Sequence, residues 1–472
     1  MLLEQFLKDK YNYDSTVKDS WSKYVKLWRS WYVGKVKSFH CYTIYNGKRN
    51  VRMQRLSLQM AKKCCEDWAD LLFNERCSIS LSDERSNEQL NDILNANDFW
   101  SLMNSAIEFS GGVGTGAVVV SVSDITVGEN ENILDVSNAS VKAEYVDIDW
   151  IFPLTWSKRS VKECAFGVRK TIKGNNYVFL SVHTLEKGVY VIHNHAFRDN
   201  KGSLTEIECE DSFAEFNTGS DKPWFAVFGP SGTNSIYPNS PWGVPYFSGA
   251  IDVLQAIDTA YDSLNNEIQL GRKRIFASQE MFNMGADGTS LVFDESDVSV
   301  YCLPKGANSD SLIQPENSEL RVDRLKEDIE LNLNVFSNLT GFGQNHYQLQ
   351  AQTGQTATAV VSQNSAMFRR KKKHEIVLES AIYDIVHAMA YAASAFGTAN
   401  INVDGLTVMF DDSIIEDKEA QSNRALRELS AGVKSPEEYR VEIYGESEEV
   451  AEQKIQSIQE KHPTMQSLIG GE

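Results

Sequence analysis

The chain has 472 residues, 42% hydrophobic and 10% aromatic, material for two to four packed units on a scale of ~100–200 residues each. Its formal net charge is −19, which excludes a protein that captures free DNA through a basic body, because such a surface repels phosphate at long range. No apolar stretch is read as long enough to span a bilayer, and MLLEQFLKDKYNYD lacks the plan of a signal peptide. The seven cysteines (Cys41, Cys64, Cys65, Cys77, Cys164, Cys209 and Cys302) are irregularly spaced and contain no CxxC pair. Reduced thiols of a cytoplasmic product are expected. The charge is uneven: residues 1–81 carry 15 basic and 8 acidic side chains, whereas residues 411–472 carry 7 and 15. The N-terminal part is therefore expected to face something anionic or an acidic neighbour.

In chain order, Trp21, Tyr24, Trp28 and Trp31 recur at helical spacing and predict an amphipathic packing helix in the first ~40 residues. Further helices are predicted over 51–74 and 86–110, and a strand over 117–123. The pattern over 141–197 is β, with hairpin turns at Gly174-Asn175 and Lys187-Gly188, and 198–240 reads as loop. A helix over 248–275 carries one stripe of Ile251, Leu254, Ile257, Tyr261, Leu264 and Ile268. Residues 276–317 form a small insert with a turn at 285–288 and short strands at 290–293 and 298–303. A second helix opens at Ser318 as N-cap and closes at Gly341 as the C′ residue, with the stripe Val322, Leu325, Ile329, Leu333 and Phe336. A glutamine-rich loop then leads into a helix over 355–396 that contains neither Gly nor Pro until its end and would reach ~60 Å at 1.5 Å per residue.

Several motifs invite chemistry. GGVGTG at 111–116 lacks the Lys and Ser/Thr of a P-loop, and it runs from helix to strand, the reverse of a dinucleotide fingerprint, so a tight turn is expected. His193 and His195 share a strand face, with His183 on the preceding strand. No acidic or cysteine ligand completes a zinc set at motif spacing, so solvent-side or interface histidines are expected. Asp411, Asp412 and Asp417 lack the EF-hand pattern and read as acids at a helix start. There is no nucleophile elbow and no HExxH; sequence alone leaves a triad assembled from distant residues open. No catalytic residue, cofactor or metal is expected. Arg369, Arg370, Lys371, Lys372 and Lys373 go right around a helix, so some must meet acidic partners in protein rather than DNA.

Three segments carry a family resemblance. NSPWGVPYFSGAIDVLQAIDTAYDSLNNEIQLGRKRIF (239–276), LNVFSNLTGFGQNHYQLQAQTGQTATAVVSQNSAMFRRKKKHE (333–375) and VMFDDSIIEDKEAQSNRALRELSAGVKSPEEYRVEIYGESEEVAEQKI (408–455) stand in the order found in the portal proteins of tailed bacteriophages. The chain resembles that family over about half its length, and the first ~240 residues in layout only. The resemblance implies an α+β subunit with a wing (1–240), first stem helix (241–275), clip (276–317), second stem helix (318–341), tunnel loop (342–354), long wing helix and returning strand (355–410) and helical crown (411–472). It implies a ring, a dodecamer, at one capsid vertex, which passes double-stranded DNA during packaging and ejection. Its partners would be copies of itself, the terminase large subunit, a head–tail connector or adaptor, and capsid and scaffolding proteins, with no membrane. It would sit in the virion and, during assembly, in the host cytoplasm. The tunnel loop would follow the DNA with Gln344, Asn345, His346, Tyr347, Gln348, Gln350 and Gln352, and the terminase, not this chain, would hydrolyse ATP. Two other readings stand beside it: another head component such as an adaptor or minor capsid protein, and a nucleic-acid-processing enzyme suggested by GGVGTG and the basic run.

On the second stem helix, Glu319, Asp323, Glu327, Glu330 and Asn334 fall in one narrow stripe beside the apolar one. Asp323, Glu327 and Glu330 are expected to face the DNA path. A carboxylate wall offers no counterion-releasing contact to hold phosphate.

Overall fold

The computed structural model describes residues 3–74, 77–123, 126–127, 133–135, 139–200, 202–207, 214–271, 274–278, 300–303, 313–316, 319–349, 357–410, 418–444 and 448–461. They form an α+β chain of two compact units, one of Met1–Ala351 with Arg369–Phe410, the other of Gln352–Phe368 with Asp411–Glu472.

In the first unit, strands Ile151–Ser157, Ser160–Ile172, Asn175–Glu186, Val189–Asn200 and Ser203–Ile207 make an antiparallel meander, and Glu215–Asn217 adds to Val189–Asn200. Two of its turns are two-residue loops, Lys173-Gly174 and Lys187-Gly188, with both residues at positive φ. That backbone matches the right-handed twist of the strands. Helix Leu3–Tyr11 lays Phe6 and Leu7 on the sheet against Phe152, Val178, Leu180 and Phe197. Helix Thr16–Tyr32 buries Trp21, Trp28 and Trp31, as its spacing predicts. A three-stranded sheet sets Gly116–Ser123 between Phe225–Phe228 and Ser140–Asp147.

Several predicted boundaries are corrected. The first half of 51–74 is not helix: Asn50–Gln54 pairs with Cys41–Tyr45 in a hairpin around Asn46-Gly47, and the helix runs only Met60–Leu72. The single helix over 86–110 is two, Glu84–Ala96 and Phe99–Val113. They break where the Asn97 side chain bonds the backbone of Val141 and Ala143 and Asp98 turns left-handed at φ 46°. Three short strands cross the stretch predicted as loop at 198–240. The first stem-like helix is Ile251–Leu270, and Ile275 lies on strand Arg274–Ser278. The second starts at Val322, not after Ser318, because Arg321 is drawn back to Glu267 at 2.8 Å. It ends at Gly341, φ 95°, where Phe342 N–H reaches Ser337 O.

The helix Ala357–Ala395 has 39 residues, about 58 Å at 1.5 Å per residue. By length and composition Ser365–Ala395 is apolar enough to cross a bilayer, which corrects the reading that no stretch is. Leu378, Ile382, Ile385, Val386 and Met389 on it are nevertheless buried inside the first unit, the pattern of a core helix. Beyond it, Thr407–Met409 returns to pair with Ser78–Ser80. In the second unit Lys418–Ser430, Pro436–Tyr444 and Glu448–Lys461 follow one another. Ser435 and Glu438 exchange side-chain-to-backbone bonds as a capping box, the structural meaning of Ser-Pro-Glu-Glu.

Buried histidines couple this fold to pH. His374, on the long helix, accepts from Ser231 N–H at 3.0 Å, and burial pushes it down to about 3; burial does the same to His183. Both are neutral in the folded chain, whereas the unfolded chain takes up their protons below about 6.5. Their stabilisation is therefore complete above about pH 6.5 and is lost as pH falls toward 3. Urea unfolding should show the protein weaker at pH 5 than at pH 7 by about 2 kcal/mol per histidine. His374→Gln should flatten the pH dependence; an unchanged slope in that variant would contradict it.

Candidate functional site

The site predicted from sequence is a helical pair with a small insert at one end and a loop at the other. Ile251–Leu270 and Val322–Thr340 pack as an antiparallel pair through Leu254, Ile257, Ile329, Leu333 and Phe336, all buried. At the insert end, Gly271 lies against Leu320, and the Arg321 guanidinium bonds both oxygens of Glu267. Those bonds hold the Glu267 carboxyl at about 2. The insert follows from Arg274–Ser278, which pairs parallel with Val300–Leu303 and antiparallel with Ile313–Glu316. The expected strand at 298–303 is thus Val300–Leu303; the turn at 285–288 and the strand at 290–293 lie outside the described residues.

Helix Val322–Thr340 has three faces. One is the packed stripe, of which Val322 and Leu325 are half-buried. The second is acidic: Asp323 and Glu327 are exposed and Glu330 half-buried, while Asn334 is tied to Asn345 at 3.1 Å; Glu319, expected on this stripe, is exposed but precedes the helix. At ~100° per residue the third face lies about a third of a turn from each of the others; Leu331, Val335 and Leu339 make its C-terminal half apolar and exposed, and Arg324 and Asp328 are exposed in its first turns.

The loop after Gly341 begins as core. Phe342 is buried against Trp68 at 4.5 Å, and His346 stacks on Phe342 at 4.3 Å. Tyr347 is turned inward and donates its hydroxyl to Asp67 at 2.8 Å. Burial alone would raise the Asp67 carboxyl, but bonds from His346, Lys63 and Tyr347 hold it below the ordinary range. Asn345 takes a left-handed turn, and Gln344 and Gln348 are exposed. Gln350 and Gln352 lie outside the described residues. The sequence reading missed Asp67 and Trp68; the only signal for them was an amphipathic helix.

The basic run divides as its periodicity requires. Lys371 is fully buried and pairs with Glu375; Lys372 reaches the same carboxylate at 3.1 Å. Arg370 is half-buried and lies over Gly341, and Arg369 and Lys373 are exposed. Two of the five cations thus meet the acidic partner expected of them.

The other motifs resolve as packing. In GGVGTG the helix runs on to Val113, and Gly114 turns it at φ 93°. A Cβ on Gly111 would strike Tyr246, and one on Gly114 the Gly243 carbonyl, so this turn leaves no cradle for phosphate. His193 bonds Thr184 and Glu186, and His195 bonds Tyr11 at 2.7 Å and Glu206, both half-buried on an interior strand of the meander. Ser181 Oγ meets His183 at 2.9 Å, a superficial likeness to a nucleophile and its base. His183 is held neutral by burial, and its Nδ1 has no hydrogen-bond partner to orient it. Among the described residues no group of three His, Cys, Asp or Glu is placed to hold a metal; Asp411, Asp412 and Asp417 lie outside them. Cys41, Cys64, Cys65, Cys77 and Cys164 are free thiols.

Residues 235–466 match the family model described as "Phage portal protein, SPP1 Gp6-like". A solved structure described as "Neck of native GTA particle computed with C12 symmetry" is similar at 11% identity over 81% of this chain and 88% of that one, with a TM-score of 0.36, too low to carry an argument. No curated protein matches the chain.

The loop root supplies a prediction. Tyr347→Phe removes a hydrogen bond to a carboxylate and should cost about 1.5–3 kcal/mol locally. Amide exchange over 342–349 should quicken while exchange in the meander stays as it was; equal protection of both in the variant would contradict the anchoring.

Proposed function

We propose that this chain, whose residues 235–466 match the phage portal protein family, is a structural subunit of a ring at one capsid vertex, and that the ring conducts DNA during packaging and ejection. The observation that carries the reading is the three-faced helix Val322–Thr340: one face packs on its own chain, one is acidic, and one is apolar and exposed over its C-terminal half. A lone subunit has no use for the third face; a closed ring of copies gives each face a surrounding of its own. In this reading Asp323, Glu327 and Glu330 line the channel, and their carboxylates keep phosphate sliding. The exposed Gln344 and Gln348, with the rest of the 342–354 loop, are the tunnel loop, and Asn345, His346 and Tyr347 form its root.

In this reading the chain divides into wing 1–240, stem helices within 241–275 and 318–341, clip 276–317, long wing helix and returning strand 355–410, and crown 411–472. The clip would dock the terminase large subunit and the head–tail connector or adaptor, and the outer surface would meet capsid and scaffolding proteins. The ring would be a dodecamer. The chain's work is mechanical, and ATP turnover belongs to the terminase.

Mass measurement in solution should find a large closed oligomer; a monomer at every concentration and salt would refute the ring. Changing Asp323, Glu327 and Glu330 together to Lys should preserve that oligomer and slow DNA packaging by about tenfold or more at low salt, where screening is weakest. Intact triple-Lys rings that package normally at low salt would remove these residues from the DNA path.

A further inference from the structure

The strands Cys41–Tyr45 and Asn50–Gln54 form a two-stranded hairpin with no third strand among the described residues. A two-stranded hairpin is marginally stable alone in water, so an exposed one needs a use or a partner. Its composition is one-sided. Between Asp19 and Glu66 the chain carries eleven Lys and Arg and no acidic residue, in a protein of net charge −19.

The register sorts the hairpin's faces. Tyr42 opposes Met53 and Ile44 opposes Val51, so one face is apolar; Thr43 opposes Arg52 and Tyr45 opposes Asn50 on the other. Ile44 is 47% and Tyr45 66% exposed, and Lys48 and Arg49 stand exposed at the tip. The base, in contrast, is rigid. His40 is buried and meets Asp258 of the stem-like helix at 3.0 Å, Asp258 also accepts Leu58 N–H at 2.8 Å, and Arg55 donates to Phe39 O at 2.6 Å. The arm is therefore held firmly at its root and offered to solvent at its tip.

We infer that this hairpin is an assembly arm that docks on the acidic surface of a second copy of the chain; the inference rests on the ring reading above. Charge complementarity selects the occupant. A body of net charge −19 presents carboxylates to a neighbour's cations, and exposed rows such as Glu84, Glu88 and Asp92, one helical turn apart, show the kind of surface the arm fits. DNA is the weaker partner: phosphate offers nothing to the face of Tyr42, Ile44, Val51 and Met53, and the rest of the protein repels it.

The test uses the full chain, mixed from isotopically light and heavy subunits and joined by a zero-length carbodiimide cross-linker. Wild-type assemblies should yield light-to-heavy links from Lys48 to an Asp or Glu. Lys48→Glu with Arg49→Glu and Arg52→Glu should lower the assembled fraction by about tenfold at low salt. So should a second variant in which 43–52 is replaced by a Gly-Gly turn, with unchanged circular dichroism in both. Wild-type rings that match both variants in assembly, or Lys48 links confined to one copy, would overturn the inference while leaving the ring intact. Hairpin-dependent binding of a DNA duplex with undiminished assembly of the variants would overturn it in favour of nucleic acid. A wild-type chain that never assembles would remove the ring reading itself and this inference with it.

Discussion

Trp68 is the contact on which the placement of the functional elements depends. It is fully buried on helix Met60–Leu72, 4.5 Å from Phe342, 4.9 Å from His374 and 5.7 Å from Tyr246, and its indole N–H donates to the Thr340 carbonyl at 3.2 Å. One side chain thereby joins the end of the second stem-like helix, the root of the loop, the long helix and the segment that leads into the first stem-like helix. An aromatic of this size buries about 150–250 Å², worth roughly 4–6 kcal/mol at about 25 cal/mol per Å². The Glu267–Arg321 pair at the other end of the helices is a surface ion pair, screened by water and salt. The helix pair is therefore positioned from the Trp68 end, and the insert end is only guided.

The elements with strong periodicity were legible in the sequence. The stripe Ile329, Leu333, Phe336 is buried, Gly341 caps the helix, and the long helix ends one residue before its predicted end. What failed has local causes. Asn46-Gly47 is a hairpin signal that a run of Arg and Gln obscures, so residues 51–54 of strand Asn50–Gln54 read as helix. The break at Asn97 depends on a bond from its side chain to Val141, distant in sequence and invisible to any window. Ser318 looked like an N-cap, yet Arg321 is held by Glu267, 54 residues away.

The candidate site was legible in outline and not in partnership. The periodicity of the five basic residues predicts that some meet acidic partners in protein rather than DNA, and Lys371 does lie buried on Glu375. That pair is held in low dielectric, where removing the carboxylate leaves an uncompensated charge. Tyr347 was expected in a projecting loop; it is instead the loop's anchor, through Asp67. Sequence could not show this, because a tyrosine among glutamines carries the same signature whether it points outward or in. The acidic stripe and the exposed row Leu331, Val335 and Leu339 are separated on one helix, so the charge that would keep DNA free and the surface that would hold neighbours do not compete.

The central claim is that copies of this chain close around a channel walled by Asp323, Glu327 and Glu330. Electron microscopy of the wild-type assembly at a resolution that traces helices tests it most directly. The account predicts a ring with a central hole, with helix Val322–Thr340 turned so that these three residues face the lumen. A ring that places them on its outer surface, or particles with no central hole, would contradict it.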